Sequence, residues 1–209
     1  MSRETMARMI TTAFDLKGES KITFKDVPKQ YWAYPYITKI AANNITTGYS
    51  DQTFRPKNKV SRAQFSVFLS RSLNNDFKTY TYTSSKLNVN MTLPNYMKNK
   101  LIIKEHTHED TYGVKADIVS FYYNDTSVAK QPVWISGVSR VRSQYVEPFF
   151  GPDAVVIAKG SSYTYVMQTP GEHPYMYFEN TSYPKTKEAH EYIRFYNRLS
   201  TSIPTWSYR

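Results

Sequence analysis

Two arginines, Arg3 and Arg62, each follow a serine, Ser2 and Ser61, at the head of a segment whose apolar residues recur at helical spacing. A serine in that position can accept from the free N–H groups of a helix's first turn. The helix start also carries a partial positive charge. A guanidinium fork beside it makes a corner that a carboxylate or a phosphate fits. The same dipeptide reads equally as a cap followed by a solvated arginine, and spacing alone does not choose. A second group is Asp26, Tyr31 and Trp32. An indole face can lie under the C–H surface of a sugar, a contact worth about 1 kcal/mol by analogy with other aromatic pairs, while a carboxylate takes its hydroxyls. Trp32 fits a core equally well, and for Asp26 capping of the following helix is the preferred reading.

Enzyme chemistry finds thinner support. His106 and His108 could share one strand face as metal ligands, but neither His173 nor His190 stands at a spacing that supplies a third. A polar hairpin turn accounts for that stretch better. Ser136-Gly137 and Gly160-Ser161 lack the nucleophile-elbow pattern, and no glycine-rich phosphate loop occurs among seven glycines. With no cysteine there is neither a disulfide nor thiolate chemistry. The sequence therefore points to no catalytic residue, no metal and no cofactor.

The elements that must position the arginines are helical. Met6, Met9, Ile10 and Phe14 form one apolar stripe and Gly18 ends the segment. Phe65, Phe68, Leu69 and Leu73 form another, and Ser61 with Gln64 makes a capping box. Aligning Ser2 with Ser61 superposes the two stripes at an offset of 59 residues, which is the mark of a repeat array. Between them the pattern predicts a helix over Tyr31–Asn43, opened by Pro28, with Pro35 in its first turn and Ile37, Ile40 and Ala41 inward. Gly48-Tyr49-Ser50-Asp51 is a tight loop, and Phe54 and Pro56 fold it back onto the helices.

From Phe24-Lys25-Asp26-Val27-Pro28 through Asn44-Ile45-Thr46-Thr47-Gly48-Tyr49-Ser50-Asp51 to Val60-Ser61-Arg62-Ala63-Gln64-Phe65, the order and spacing resemble one complete repeat of the S-layer homology (SLH) family. Modules of this family hold bacterial surface proteins to cell-wall polysaccharide. The resemblance implies an all-α helical bundle over residues 1–77, with 1–18 the last helix of one repeat and 22–75 the next repeat entire. It implies that Arg62 and Arg3, standing where the family has its Thr-Arg-Ala-Glu motif, contact an acidic wall sugar with Ser61, Ser2, Asp26, Trp32 and Gly48 around them. Gln64 and Thr5 stand where that motif has glutamate, Gln52 where the family turn has its second glycine, and Asn44 where another glycine precedes Ile45. Asparagine tolerates positive φ; glutamine does so poorly.

After Asn74–Ser85, a polar Tyr/Thr-rich stretch that we take as the domain boundary, the period changes to alternation. Leu87–Leu93, Leu101–Ile103, Gly113–Tyr123, Val133–Val141, Ala154–Ala158, Ser162–Gln168 and Tyr175–Phe178 read as strands, and Lys185–Leu199 as a closing helix behind Pro184. Residues 78–209 are thus expected to be an α+β domain with a mainly antiparallel sheet. Leu87–Pro94, Lys98–Leu101, Val114–Tyr122 and Pro132–Val138 are similar in outline to an uncharacterised sheet domain of Firmicute surface proteins, which implies no settled activity.

The net charge of +10, of which +6 lies in residues 1–77, favours an anionic partner or simply solubility. No block of five like charges suggests a nucleic-acid tail, and no apolar run is long enough to cross a membrane. No secretory signal opens the chain, so it reads as a piece of a longer protein. The function these features lead to is non-covalent attachment of an extracellular protein to anionic secondary cell-wall polysaccharide of a Gram-positive bacterium. A wall-associated enzyme with its active site in the sheet domain, and a purely structural module, are the alternatives.

Overall fold

Residues 1–208 are described by a computed structural model, in which the chain divides into two units. The first comprises Met1–Tyr80 with Pro94–Tyr96, and the second Thr81–Leu93 with Met97 onward.

Three helices build the first unit: α1 (Arg3–Ala13), α2 (Tyr34–Ala42) and α3 (Arg62–Leu73). Both serine caps form. Ser2 Oγ accepts from Thr5 N–H at 3.3 Å, and Ser61 Oγ accepts from Gln64 N–H at 3.2 Å while the Gln64 side chain accepts from Ser61 N–H at 3.1 Å. The apolar stripes meet only in part, in one core of Met6, Ala7, Ile10, Ile37, Ile40, Ile45, Phe54 and Phe68 with their neighbours, whereas Met9 and Leu73 of those stripes are exposed. Phe54 is fully buried, so the loop after Gly48 does fold back. The predicted middle helix is shorter than its pattern. Tyr31 N–H donates to Pro28 C=O and Tyr34 N–H to Tyr31 C=O, so Tyr31 and Trp32 lie in turns before the helix. Nor is the unit wholly helical, because Ser2 and Lys59 form an antiparallel bridge and the first residues of a strand, β1 (Thr79–Ser84), begin within it.

Gly48 sits at φ 73°, and a Cβ there would meet Phe24 Cε1 at 2.3 Å and Thr53 C=O at 2.8 Å. Asn44 and Gln52 also adopt left-handed backbone, at φ 55° and 65°. Left-handed backbone costs a non-glycine residue about 1–2 kcal/mol, part of which a glycine gives back through its freer unfolded chain. Gln52→Gly is therefore expected to stabilise the first unit by about 0.5–1 kcal/mol, read as slower amide exchange in α1 and α2.

The second unit is organised by a five-stranded sheet, β3-β4-β5-β7-β6, antiparallel throughout: β3 (Leu101–Glu109), β4 (Lys115–Asp125), β5 (Gln131–Arg142), β6 (Val155–Lys159) and β7 (Tyr163–Gln168). A smaller sheet runs β1-β2-β8, with β2 (Val89–Pro94) antiparallel to β8 (Ser207–Tyr208). On one sheet face Tyr123 meets Phe195 of α6 (Lys187–Ser202) with ring centroids 5.3 Å apart, and Phe121 meets Trp206 at 5.8 Å. On the other, Ala116, Ile118 and Val141 pack with Tyr145 and with Val146, Phe149 and Phe150 of α4 (Val146–Phe150). This is the antiparallel sheet with a closing helix that the alternation implied.

Three local expectations are corrected. Tyr175–Phe178 is not a strand but a single helical turn, α5, set by Pro174 before it and closed by Glu179 N–H on Tyr175 C=O at 2.9 Å. The stretch Asn74–Ser85 contains a short helical turn and all of β1. His106 and His108 stand within β3, and the hairpin turn falls later, where Asp110 Oδ1 accepts from Tyr112 N–H at 2.9 Å and Val114 N–H at 2.8 Å.

Candidate functional site

Arg3 is not the exposed corner its dipeptide suggests. It is 4% exposed, its Nε donates to Phe54 C=O at 2.7 Å, and its guanidinium lies over the rings of Phe54, Tyr49 and Phe68 at 4.5, 5.0 and 5.3 Å. Burial pulls its pKa down from the usual arginine value, against the attraction of Tyr49 and Asp26. The start of α1 is closed as well: Arg3 N–H donates to Asn58 C=O at 2.9 Å and Glu4 N–H to Pro56 C=O at 3.0 Å. The anion corner expected at Ser2-Arg3 is occupied by the chain's own returning loop.

Asp26 does cap backbone, but that of the returning loop. Its two oxygens accept from Phe54 N–H at 2.8 Å and Arg55 N–H at 2.7 Å. Arg55 in turn lies over the Tyr49 ring at 4.1 Å and pairs with Asp51 at 3.0 Å. Asp51 also accepts from Thr53, and these bonds, the Thr53 side chain's first, hold its carboxyl down at about 2. The structure thus gathers Arg3, Asp26 and the Gly48 turn around one tyrosine ring that two guanidinium groups approach. Tyr49 and Arg55 were not singled out from the sequence. The available signal was an arginine directly after Phe54, the ring expected to fold the Gly-Tyr turn back onto the helices.

Arg62 is the opposite of its repeat partner. It is exposed, and its guanidinium has no ion pair among the described residues. Neither Arg62 N–H nor Ala63 N–H has a protein acceptor among them, so the capped start of α3 presents free donors. The helix faces differ too. Met6, Ala7, Ile10 and Thr11 of α1 are buried, whereas α3 buries Phe68 alone and leaves Val67 and Leu73 47% and 68% exposed. Trp32 is 49% exposed, within 6.3 Å of the Tyr31 and Tyr36 rings, and the Tyr31 hydroxyl donates to Glu4. That places Trp32 on the surface rather than in the core.

The first unit is thus largely helical, with two Ser-Arg helix starts and a tight Gly-Tyr turn, and the second is built on a sheet. Residues 23–66 match the family model of the S-layer homology domain. Over 71 residues the chain is 41% identical to an endoglucanase of Bacillus sp. (strain KSM-635), covering 32% of this chain and 8% of that one. Over 69 residues it is 32% identical to the surface-layer 125 kDa protein of Lysinibacillus sphaericus, covering 33% and 6%. The chain thus spans less than a tenth of the length of these relatives. No solved structure matches it. The S-layer homology domain is a module that anchors exported proteins at the cell surface and in general binds cell-wall polysaccharide, and the match suggests a cell-surface or extracellular location. Among the described residues no helix is long and apolar enough to cross a membrane.

Proposed function

We propose that the first unit attaches its exported protein non-covalently to anionic secondary cell-wall polysaccharide of a Gram-positive bacterium, the sheet unit being cargo or a second binding surface. The observation that supports this reading is the open corner at α3, where an exposed Arg62 and the N–H groups of a capped helix start have no partner among the described residues. Arg62 and Trp32 are the contact residues in this proposal. Ser61 fixes the helix start, while Ser2, Arg3, Asp26 and Gly48 hold the loop that shapes the unit. The net charge of residues 1–77 draws the polymer in before specific contact.

Losing one charged hydrogen-bonding partner weakens binding by about 1.5–3 kcal/mol, roughly 10- to 150-fold. Calorimetry with purified wall polysaccharide is expected to show that loss for Arg62→Ala, and about a fivefold loss for Trp32→Ala from one ring contact of about 1 kcal/mol. Melting should be unchanged in both, and added salt should weaken wild-type binding. Undiminished affinity in the Arg62→Ala, Trp32→Ala double variant, with the fold intact, would remove this surface from the site.

A further inference from the structure

On the sheet face that carries Tyr123 and Phe121, apolar packing gives way to charge toward one end. Asp117 of β4 pairs in register with Arg140 of β5, and Arg140 with Tyr165 of β7. Tyr165 is buried, its hydroxyl donating to Leu87 C=O at 3.0 Å, and marks where the covered part ends. Two residues further along each strand, on the same face by the period of a strand, stand Lys115, Arg142 and Tyr163. They line an open cleft of about 400 Å³, with Tyr112 at the tip of the β3–β4 hairpin forming part of its rim.

Charge in this cleft is unbalanced in a specific way. Its lining holds three cations, Lys115, Arg140 and Arg142, against the single carboxylate of Asp117. That carboxylate is already engaged, by Arg140 at 2.8 Å on one oxygen and by the Thr107 hydroxyl at 2.8 Å on the other. Lys115 leans on Glu109 at 3.3 Å. Arg142 is exposed and has no ion pair among the described residues. The rings are equally placed. Tyr112 is 89% exposed and Tyr163 38%, and the Arg140 guanidinium holds the Tyr163 ring from 5.0 Å. A small inorganic anion would use Arg142 and leave both rings idle. A flat apolar ligand would use the rings and leave the guanidinium desolvated. A sugar ring bearing a carboxylate uses both, through its C–H face on tyrosine and its charge on the arginine fork. The volume falls within the range of small-ligand clefts.

We infer that this end of the sheet is a binding site for an acidic saccharide, separate from the surface of the first unit. The cleft lies wholly in the second unit, so its occupancy does not depend on the reading of the first. The test is calorimetry on the full chain carrying Arg62→Ala, with tetragalacturonate as the acidic probe and cellotetraose as the neutral one. Tetragalacturonate is expected to bind at least tenfold more tightly than cellotetraose. Arg142→Gln should weaken it by about tenfold or more and Tyr112→Ala by several-fold, with unchanged melting because both side chains are exposed. Lys187→Gln, at an exposed position on α6, should leave binding as it was. The inference is overturned if tetragalacturonate fails to bind at millimolar concentration, if cellotetraose binds as well, if both cleft variants bind like the parent, or if Lys187→Gln weakens binding as much as Arg142→Gln.

Discussion

Arg3→Ala is expected to destabilise the first unit by about 3 kcal/mol, while Arg62→Ala, the same change at the repeat-equivalent position, stays within about 0.5 kcal/mol. Arg3 is buried and hydrogen bonded to Phe54 C=O, and its charged bond alone is worth about 1.5–3 kcal/mol. Its removal also strips a cation from three aromatic faces, each contact being worth about 0.5 kcal/mol or more. Arg3→Lys should recover only part of the loss, because an ammonium group cannot offer a planar fork to the carbonyl and lie flat over the rings. Amide exchange followed by mass spectrometry on the full chain separates the units. Protection should fall in α1 and around Ile45–Phe54 for Arg3→Ala and be unchanged for Arg62→Ala. An Arg3→Ala chain as protected as wild type, yet unable to bind wall polysaccharide, would make Arg3 a ligand contact instead.

That contrast marks where the sequence stops being readable. Ser2-Arg3 and Ser61-Arg62 are the same dipeptide in the same stripe, and both serines cap as their positions require. What differs is the chain that arrives over them. Asn58 and Pro56 return over the start of α1 and take its free N–H groups, whereas no segment of the first unit does so for α3. Burial of an arginine by a loop more than fifty residues away is a tertiary effect, and no local pattern records it. Gln52 was readable in kind: a glutamine where the family turn has glycine does sit in left-handed backbone.

In the sheet unit, the alternation of buried and exposed residues located β2, β4, β5 and β7 within a few positions. It failed where the amino acids mimic the wrong period. Tyr-Met-Tyr-Phe looks like strand, but Pro174 and the burial of Tyr175 wind it into α5. The polarity of Asn74–Ser85 marks a domain boundary, but tyrosine and threonine are good strand formers, and Thr79–Ser84 within it is β1. The cleft at Arg142 was hidden for another reason. Its side chains come from a hairpin tip and three strands, and only register brings them together.

The same register makes Asp125 the residue whose loss should most weaken the second unit. It ends β4 nearly fully buried and accepts from Ser127 N–H at 2.7 Å, Val128 N–H at 2.9 Å and Ala129 N–H at 3.1 Å, which fixes the turn into β5. The Tyr175 hydroxyl donates to Oδ2, the oxygen that also takes Ala129 N–H, tying α5 to the same turn. Asp125→Ala leaves those donors without an acceptor, and a buried unpaired group costs about 1–3 kcal/mol. With some of them reaching water, the expected loss is about 4 kcal/mol, seen as faster exchange across β4 and β5. Burial alone would raise the Asp125 carboxyl, but the Tyr175 hydroxyl and the turn's N–H groups outweigh it and the net shift is downward. Glu191, bonded to Lys100 and Tyr123, shifts the same way for the same balance of causes. A carboxylate whose folded pKa is depressed contributes stability that is full above its unfolded pKa, about 4, and is lost as pH falls through the folded value. Wild-type stability should therefore drop on acidification below about pH 4, and the drop should be shallower in Asp125→Ala, which has one such group fewer. Equal slopes for the two proteins between neutral and acid pH would mean that the Asp125 bonds do not favour its ionised form.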